Sequence, residues 1–167
     1  GESKRPGRSE RIHQRFVYYR DKIRKEIDHA FLLKNFPVGT LLHEVILEST
    51  NEGYYLGRPL GSYPVTVKIP LDDRQAAMYL ESKTPLTCFV TGAEERSIRA
   101  LSFPLRISQM GSIAFSQIPG IGRKASSRLF AELGKRKESG EKELQDWLIT
   151  QGARIQPAQL QDLPTLV

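Results

Sequence analysis

The chain contains one cysteine, three histidines, one tryptophan and two methionines among 167 residues. A lone cysteine, Cys88, excludes an intramolecular disulfide and any zinc site built on several thiolates. It falls in the apolar run Leu86-Thr87-Cys88-Phe89-Val90 and is expected in the core rather than as a reactive thiol. His13, His29 and His43 are scattered, with no spacing suited to a shared metal. No stretch approaches the roughly 18 apolar residues of a membrane span, and no signal-peptide apolar segment appears near the start. The expectation is an intracellular protein, cytoplasmic or nucleoid/nuclear, without membrane, metal or cofactor.

Catalytic signatures are equally scarce. There is no Walker A loop, nucleophile elbow or dinucleotide fingerprint, and Gly57 to Gly61 lacks the spacing for one. Two carboxylate pairs, Asp72-Asp73 and Glu94-Glu95, invite comparison with a two-metal nuclease. Sequence neighbours, however, point to opposite faces of a strand and diverge by about 100° on a helix. A helix N-terminus for the first pair and a hairpin turn for the second fit better. No catalytic residue is assigned, and the chain is expected not to be an enzyme.

What is present is positive charge. With 39% hydrophobic and 26% charged residues the composition is that of a folding globular chain, but the net charge is +6. Residues 1–25 hold nine Lys/Arg against three Asp/Glu, a surplus equal to that of the whole chain. An anionic partner is implied, nucleic acid first.

Periodicity divides the chain into parts. Residues 1–37 form a basic arm and an amphipathic helix. Gly1 to Arg8 is expected to be mobile without a partner, and Ser9 is a candidate N-cap. Ile12, Phe16, Tyr19, Ile23, Ile27 and Ala30 or Phe31 then recur every three or four residues, and the helix stops before Pro37. Arg11, Arg15, Arg20, Lys22, Arg24 and Lys25 occupy its other positions. Arg11 and Arg15 are candidate backbone contacts, although a merely solvated face explains them equally well.

Residues 38–109 change to strand grammar. Strands are expected over Thr40 to Ser49, Tyr54 to Leu60, Tyr63 to Ile69, Leu86 to Ala93 and Ser97 to Ile107, with turns at Asn51-Glu52-Gly53 and Leu60-Gly61-Ser62. A helix over Leu71 to Ser82 interrupts them, its start marked by Asp72 and Asp73. Three strands, a helix and two strands is the order of an OB-like β-barrel, whose strand face often binds single-stranded nucleic acid. Tyr54, Tyr55 and Tyr63 fall where such a face stacks bases, with Arg58 and Lys68 nearby; of these Tyr55, Arg58 and Lys68 are candidate contacts.

Residues 110–152 return to helices: two short runs between Ser112 and Leu133, a linker from Gly134 to Gly140, and a last amphipathic helix from Glu141 to Thr150 carrying Leu144, Trp147 and Leu148. Residues 153–167 are a tail. The expected class is thus α+β, a small OB-like barrel preceded by a long basic helix and followed by a helical unit.

The most specific signal lies in that unit. Ile118-Pro119-Gly120-Ile121-Gly122 joins two helical runs, with a small residue, Ala125, three positions on and Leu129 four further. Each position has a separate task. Pro119 and Gly120 make the turn, Gly120 supplying a positive φ, while Ile118 and Ile121 anchor it between the helices. Gly122 leaves room for close approach, and Ala125 lets the helices cross closely. Backbone N–H groups of the turn and of the next helix's first turn then face outward as an anion site, with Arg123, Lys124 and Arg128 adding charge.

This pattern, over about twenty residues, resembles the helix-hairpin-helix superfamily of DNA-binding motifs. The resemblance implies binding to the sugar-phosphate backbone without base specificity through Ile118, Gly120, Ile121, Gly122, Arg123, Lys124 and Arg128. A barrel followed by such a hairpin is similar to the arrangement in the DNA-binding subunit of the Holliday-junction branch-migration complex. The chain departs from it in its leading basic helix and in having one hairpin rather than two; Leu160 to Pro164 lacks both glycines of a second.

The functional expectation is an accessory factor of repair, recombination, replication or transcription that grips DNA, or RNA, without reading its sequence, and that has a protein partner in a larger complex. The alternative is a protein-interaction adaptor in which the hairpin is structural. Oligomeric state is left open.

Overall fold

Val65, Val67 and Ile69 alternate with outward-facing neighbours, and all three are buried in one core of the computed structural model. The structure describes residues 7–61 and 64–155, those at 24–27 in backbone only. Several sequence expectations therefore fall outside the described residues: Tyr63, the side chains of Arg24, Lys25 and Ile27, most of the 1–8 arm, and Leu160 to Pro164.

Helix α1, Arg8–Asn35, begins one residue before the expected cap. Gly7 is the N-cap, and its N–H donates to the Glu10 carboxylate at 3.3 Å, so Ser9 lies inside the first turn. The helix ends where Pro37 requires, with the Phe36 N–H closing on the Leu32 carbonyl at 2.8 Å. Among the described side chains, Leu32 and Phe36 at its C-terminal end enter the core.

Strand β1, Leu41–Asn51, turns through Glu52 and Gly53, both at positive φ (48° and 90°), into β2, Tyr54–Pro59. Asn51 pairs with Tyr54, so the turn expected at Asn51-Glu52-Gly53 is a hairpin of two residues and β1 runs two residues further than expected. Strand β3, Thr66–Pro70, pairs antiparallel with β2 and is shorter than expected at its start.

The stretch after β3 corrects the sequence reading. Instead of one helix from Leu71, a tight turn and a 3-10 turn, Arg74–Ala76, precede helix α2, Ala77–Ser82. Asp73 keeps its place at the start as the N-cap of the 3-10 turn, its carbonyl accepting the Ala76 N–H at 3.1 Å, but Asp72 does not serve this helix. The Asp72 carboxylate instead accepts the N–H groups of Ile113 and Ala114, at 2.8 and 2.9 Å, in the first turn of another helix 41 and 42 residues away. Asp73 is buried and accepts the Ser102 N–H and hydroxyl, both at 2.7 Å. Burial pushes its carboxyl pKa up, against the opposing effect of those hydrogen bonds.

Strands β4, Leu86–Ala93, and β5, Ser97–Phe103, complete the sheet. The fifth strand stops earlier than expected because Pro104 offers no N–H to continue the ladder. The order β1-β2-β3-β5-β4 closes into a barrel, with β3 and β5 parallel and β4 returning to β1. One long strand, β1, serves two neighbours by bending at irregularities between Leu42 and Val45 and between Leu47 and Ser49.

Helix α3, Ser112–Ser116, helix α4, Arg123–Leu133, and helix α5, Glu141–Thr150, follow a 3-10 turn at Ile107–Gln109. Their core is not separate from the barrel. Phe115, Ile118, Leu129, Leu144 and Leu148 cluster with Phe89 of β4 and Leu101 of β5, while Cys88, Val90 and Ala100 of the same strands face the barrel interior. Both faces of β4 and β5 are therefore covered, which explains their nearly continuous apolar sequence. Cys88 is fully buried, as expected, and burial pushes its thiol pKa far up. No helix among the described residues is long and apolar enough to cross a membrane.

Candidate nucleic-acid interface

The turn between α3 and α4 is anchored by its two isoleucines. Ile118 and Ile121 are buried in the second core, so their side chains hold the turn and are not themselves a contact surface. Gly120 sits at φ +89°, as its place after Pro119 predicts. A further constraint was not legible in the sequence. A Cβ at Gly120 would fall 2.1 Å from the Gly152 carbonyl oxygen, and the Arg154 N–H donates to the Pro119 carbonyl at 2.8 Å. The segment after α5 thus braces the turn from behind.

Gly122 differs. It is the extended N-cap of α4 (φ −71°, ψ 163°), has no side chain with which to cap, and a Cβ there would meet nothing within 4 Å. The first helical bond runs from the Ser126 N–H to the Gly122 carbonyl at 2.8 Å, so the N–H groups of Arg123, Lys124 and Ala125 have no intrahelical acceptor. Arg123, Lys124 and Arg128 are exposed, and the first turn of α4 carries no acid. An open helix N-terminus, a bare glycine and three cations thus lie on one short segment. Such an arrangement can hold an anion on backbone amides, favoured by the helix dipole.

Ala125 is half-buried and packs against the second core, and its neighbour Ser126 is buried. Phe130 packs against Phe115 with ring centroids 5.4 Å apart, and Leu129 is buried as expected.

On the barrel the structure sorts the aromatics. Tyr55, a candidate contact, pairs across the sheet with Ile69, points inward and is 9% exposed. Burial and the nearby Asp73 charge raise its phenol pKa. Tyr54 is the outward residue of the two. The β2–β3 register decides this, since Tyr55 lies opposite Ile69, a member of the inward set. Lys68 stands over the Tyr54 ring, 5.5 Å from its centroid, and its ammonium is 3.0 Å from Glu94. Burial alone would raise the Glu94 pKa, but Lys68 together with Ser97 and Arg99 lowers it overall. Tyr54, Leu56, Thr66, Lys68 and Arg96 line an open groove here. Arg58 is exposed, 3.8 Å from Glu48.

Arg11 and Arg15 are exposed on α1, away from the turn in sequence and on another element. Glu94 and Glu95 occupy the β4–β5 turn, closed by the Glu94 N–H to the Ser97 carbonyl at 2.8 Å. His29 Nδ1 lies 2.9 Å from the Glu94 carbonyl, and His43 Nδ1 lies 3.4 Å from the Thr87 hydroxyl. Among the described residues no three His, Cys, Asp or Glu side chains converge on a point that could hold a metal ion.

No protein-family model matches the chain. No solved structure matches it. Over 63 residues the chain is 38% identical to an uncharacterized protein of Methanocaldococcus jannaschii, a stretch that spans 37% of this chain and 12% of that protein.

Proposed function

We propose that this chain binds the sugar-phosphate backbone of nucleic acid, DNA ahead of RNA, without reading base sequence, and that it acts as an accessory factor by positioning rather than by chemistry. The observation that carries this reading is the uncapped N-terminus of α4, open at Gly122 and flanked by Arg123, Lys124 and Arg128. A phosphate there would accept hydrogen bonds from main-chain N–H groups that have no intrahelical acceptor. The resemblance of this segment to a helix-hairpin-helix motif supports the same conclusion.

The barrel supplies a second argument. Its closed strand order β1-β2-β3-β5-β4, with α2 between β3 and β4, supports an OB-like reading. In that reading Tyr54 offers a stacking face in the β2–β3 groove, with Lys68 and Arg96 beside it.

The test is binding of fluorescent single-stranded, duplex and branched DNA, and of matching RNA, across a salt series, to the wild type and to Gly122→Val. Steep salt dependence, largely lost with the folded variant, is the expected result. If neither protein binds, the turn is structural and the adaptor reading replaces this one.

A further inference from the structure

Independently of the hairpin, α1 displays a feature that backbone binding does not use. Ile12, Phe16, Tyr19 and Ile23 are 55–63% exposed, although they form the apolar stripe of the helix. Their spacing of four, three and four residues is that of d and a positions in successive heptads. With Phe16 and Ile23 at a, the g positions are Arg8, Arg15 and Lys22, and the e positions are His13 and Arg20, all exposed. The acids of this stretch lie off the seam and are engaged. Glu10 accepts the Gly7 N–H, and Asp21 lies 3.7 Å from the neighbouring Arg20.

Two features define the occupant. Apart from Tyr18, exposed at c, and Val17, partly exposed at b, the stripe is a and d wide with charge at the adjoining e and g positions, closer to the narrow seam of a coiled coil than to the broad apolar face of a helix lying in a membrane surface. The shoulders are also of one sign. A second copy would set arginine against arginine, g against e in a parallel pair and like against like in an antiparallel one. Nucleic acid would satisfy the arginines but leave the row of isoleucine and aromatic side chains exposed to water. We propose that α1 forms one half of a heteromeric coiled coil, and that its partner is an amphipathic helix with apolar a and d positions flanked by glutamate or aspartate.

The end of α1 that enters the barrel core fixes the base of the helix, so residues 8–23 project about 24 Å at roughly 1.5 Å per residue. A partner helix would cover this arm and add the packing that a solvated helix lacks.

The experiment uses the whole chain and two labelled four-heptad peptides with the same leucine/isoleucine seam, one with glutamate and one with lysine at e and g. Fluorescence anisotropy should show the acidic peptide binding at least about tenfold more tightly than the basic one. Phe16→Ala/Ile23→Ala should weaken that binding by about tenfold or more, with DNA affinity unchanged and helix content retained by circular dichroism. Arg20→Glu/Lys22→Glu should invert the peptide preference, which a purely apolar contact would not do. The proposal is overturned if neither peptide is preferred. It is equally overturned if sedimentation shows a dimer of the chain that Phe16→Ala/Ile23→Ala dissociates, or if that variant loses affinity for DNA or for phosphatidylserine vesicles instead of the acidic peptide.

Discussion

If a phosphate sits on the open N-terminus of α4, a side chain placed at Gly122 must displace it without unfolding the turn. The backbone there is extended, at φ −71° and ψ 163°, a conformation that valine adopts readily, and the added Cβ meets nothing within 4 Å. The loss of stability is limited to replacing a tolerated N-cap by a poor one, about 1 kcal/mol, or a fall in Tm of about 2–4 °C for a chain of this size. Binding should suffer far more. Two charge-assisted hydrogen bonds from main-chain N–H groups contribute about 1.5–3 kcal/mol each, so excluding the phosphate lowers affinity by a hundredfold or more. Fluorescence anisotropy with a duplex, alongside thermal denaturation, separates the two effects. Salt dependence provides a second scale. If Arg123, Lys124 and Arg128 each contact a phosphate, the slope should be about −2.7 in log affinity against log salt, or about a 40-fold decline between 50 and 200 mM. Gly120→Ala is the contrasting control, because its Cβ would fall 2.1 Å from the Gly152 carbonyl at a positive φ, and it should unfold the turn. A Gly122→Val protein that binds as tightly as wild type, with the same slope, would refute the placement of the phosphate.

The adjacent tyrosines should separate in the same assays: Tyr55→Ala removes a core ring and lowers stability by about 3–5 kcal/mol by urea denaturation, whereas Tyr54→Ala leaves stability nearly intact and weakens single-stranded DNA binding by about 1–3 kcal/mol. Asp72→Ala leaves the first turn of α3 without its cap and should lower the denaturation midpoint by the equivalent of about 1–2 kcal/mol, although Asp72 is remote from that helix in sequence. For Asp73 the folded carboxyl pKa is raised, so the protonated form favours the fold; its contribution is present below the ordinary aspartate pKa and is lost as pH rises through the raised one. Asp73→Asn, which keeps an acceptor for Ser102, should remove that decline, so the wild type loses stability relative to the variant across this window, and parallel Tm-against-pH curves would contradict it.

Local chemistry made part of this architecture legible. The β1–β2 turn follows from Glu52-Gly53, the inward set of β3 from strict alternation, and the positive φ of Gly120 from a Pro-Gly pair between helical runs. The reading failed where one residue served two compatible roles. Asp72 and Asp73 suit the start of the next helix, but a carboxylate binds any free N–H within reach, and the fold brings those of α3 and β5 closer. Tyr54 and Tyr55 differ only in parity, and parity acquires a direction only once β2 is registered against β3. Of the binding candidates, Gly122, Arg123, Lys124 and Arg128 stay together because they are contiguous in the chain, whereas Tyr55 left the set because the barrel closed over it.

By itself the sequence determined the element types, the hairpin chemistry, the lone buried thiol and the concentration of positive charge at one end, since each depends on residues within a few positions of one another. Tertiary structure alone decided that β3 pairs in parallel with β5 to close the barrel, that Gly152 and Arg154 brace the turn at Gly120, and that Ile12, Phe16, Tyr19 and Ile23 of α1 stay exposed. Those outcomes depend on which distant surfaces meet, and hydrophobic burial, being non-directional, marks a stripe for cover without specifying what will cover it.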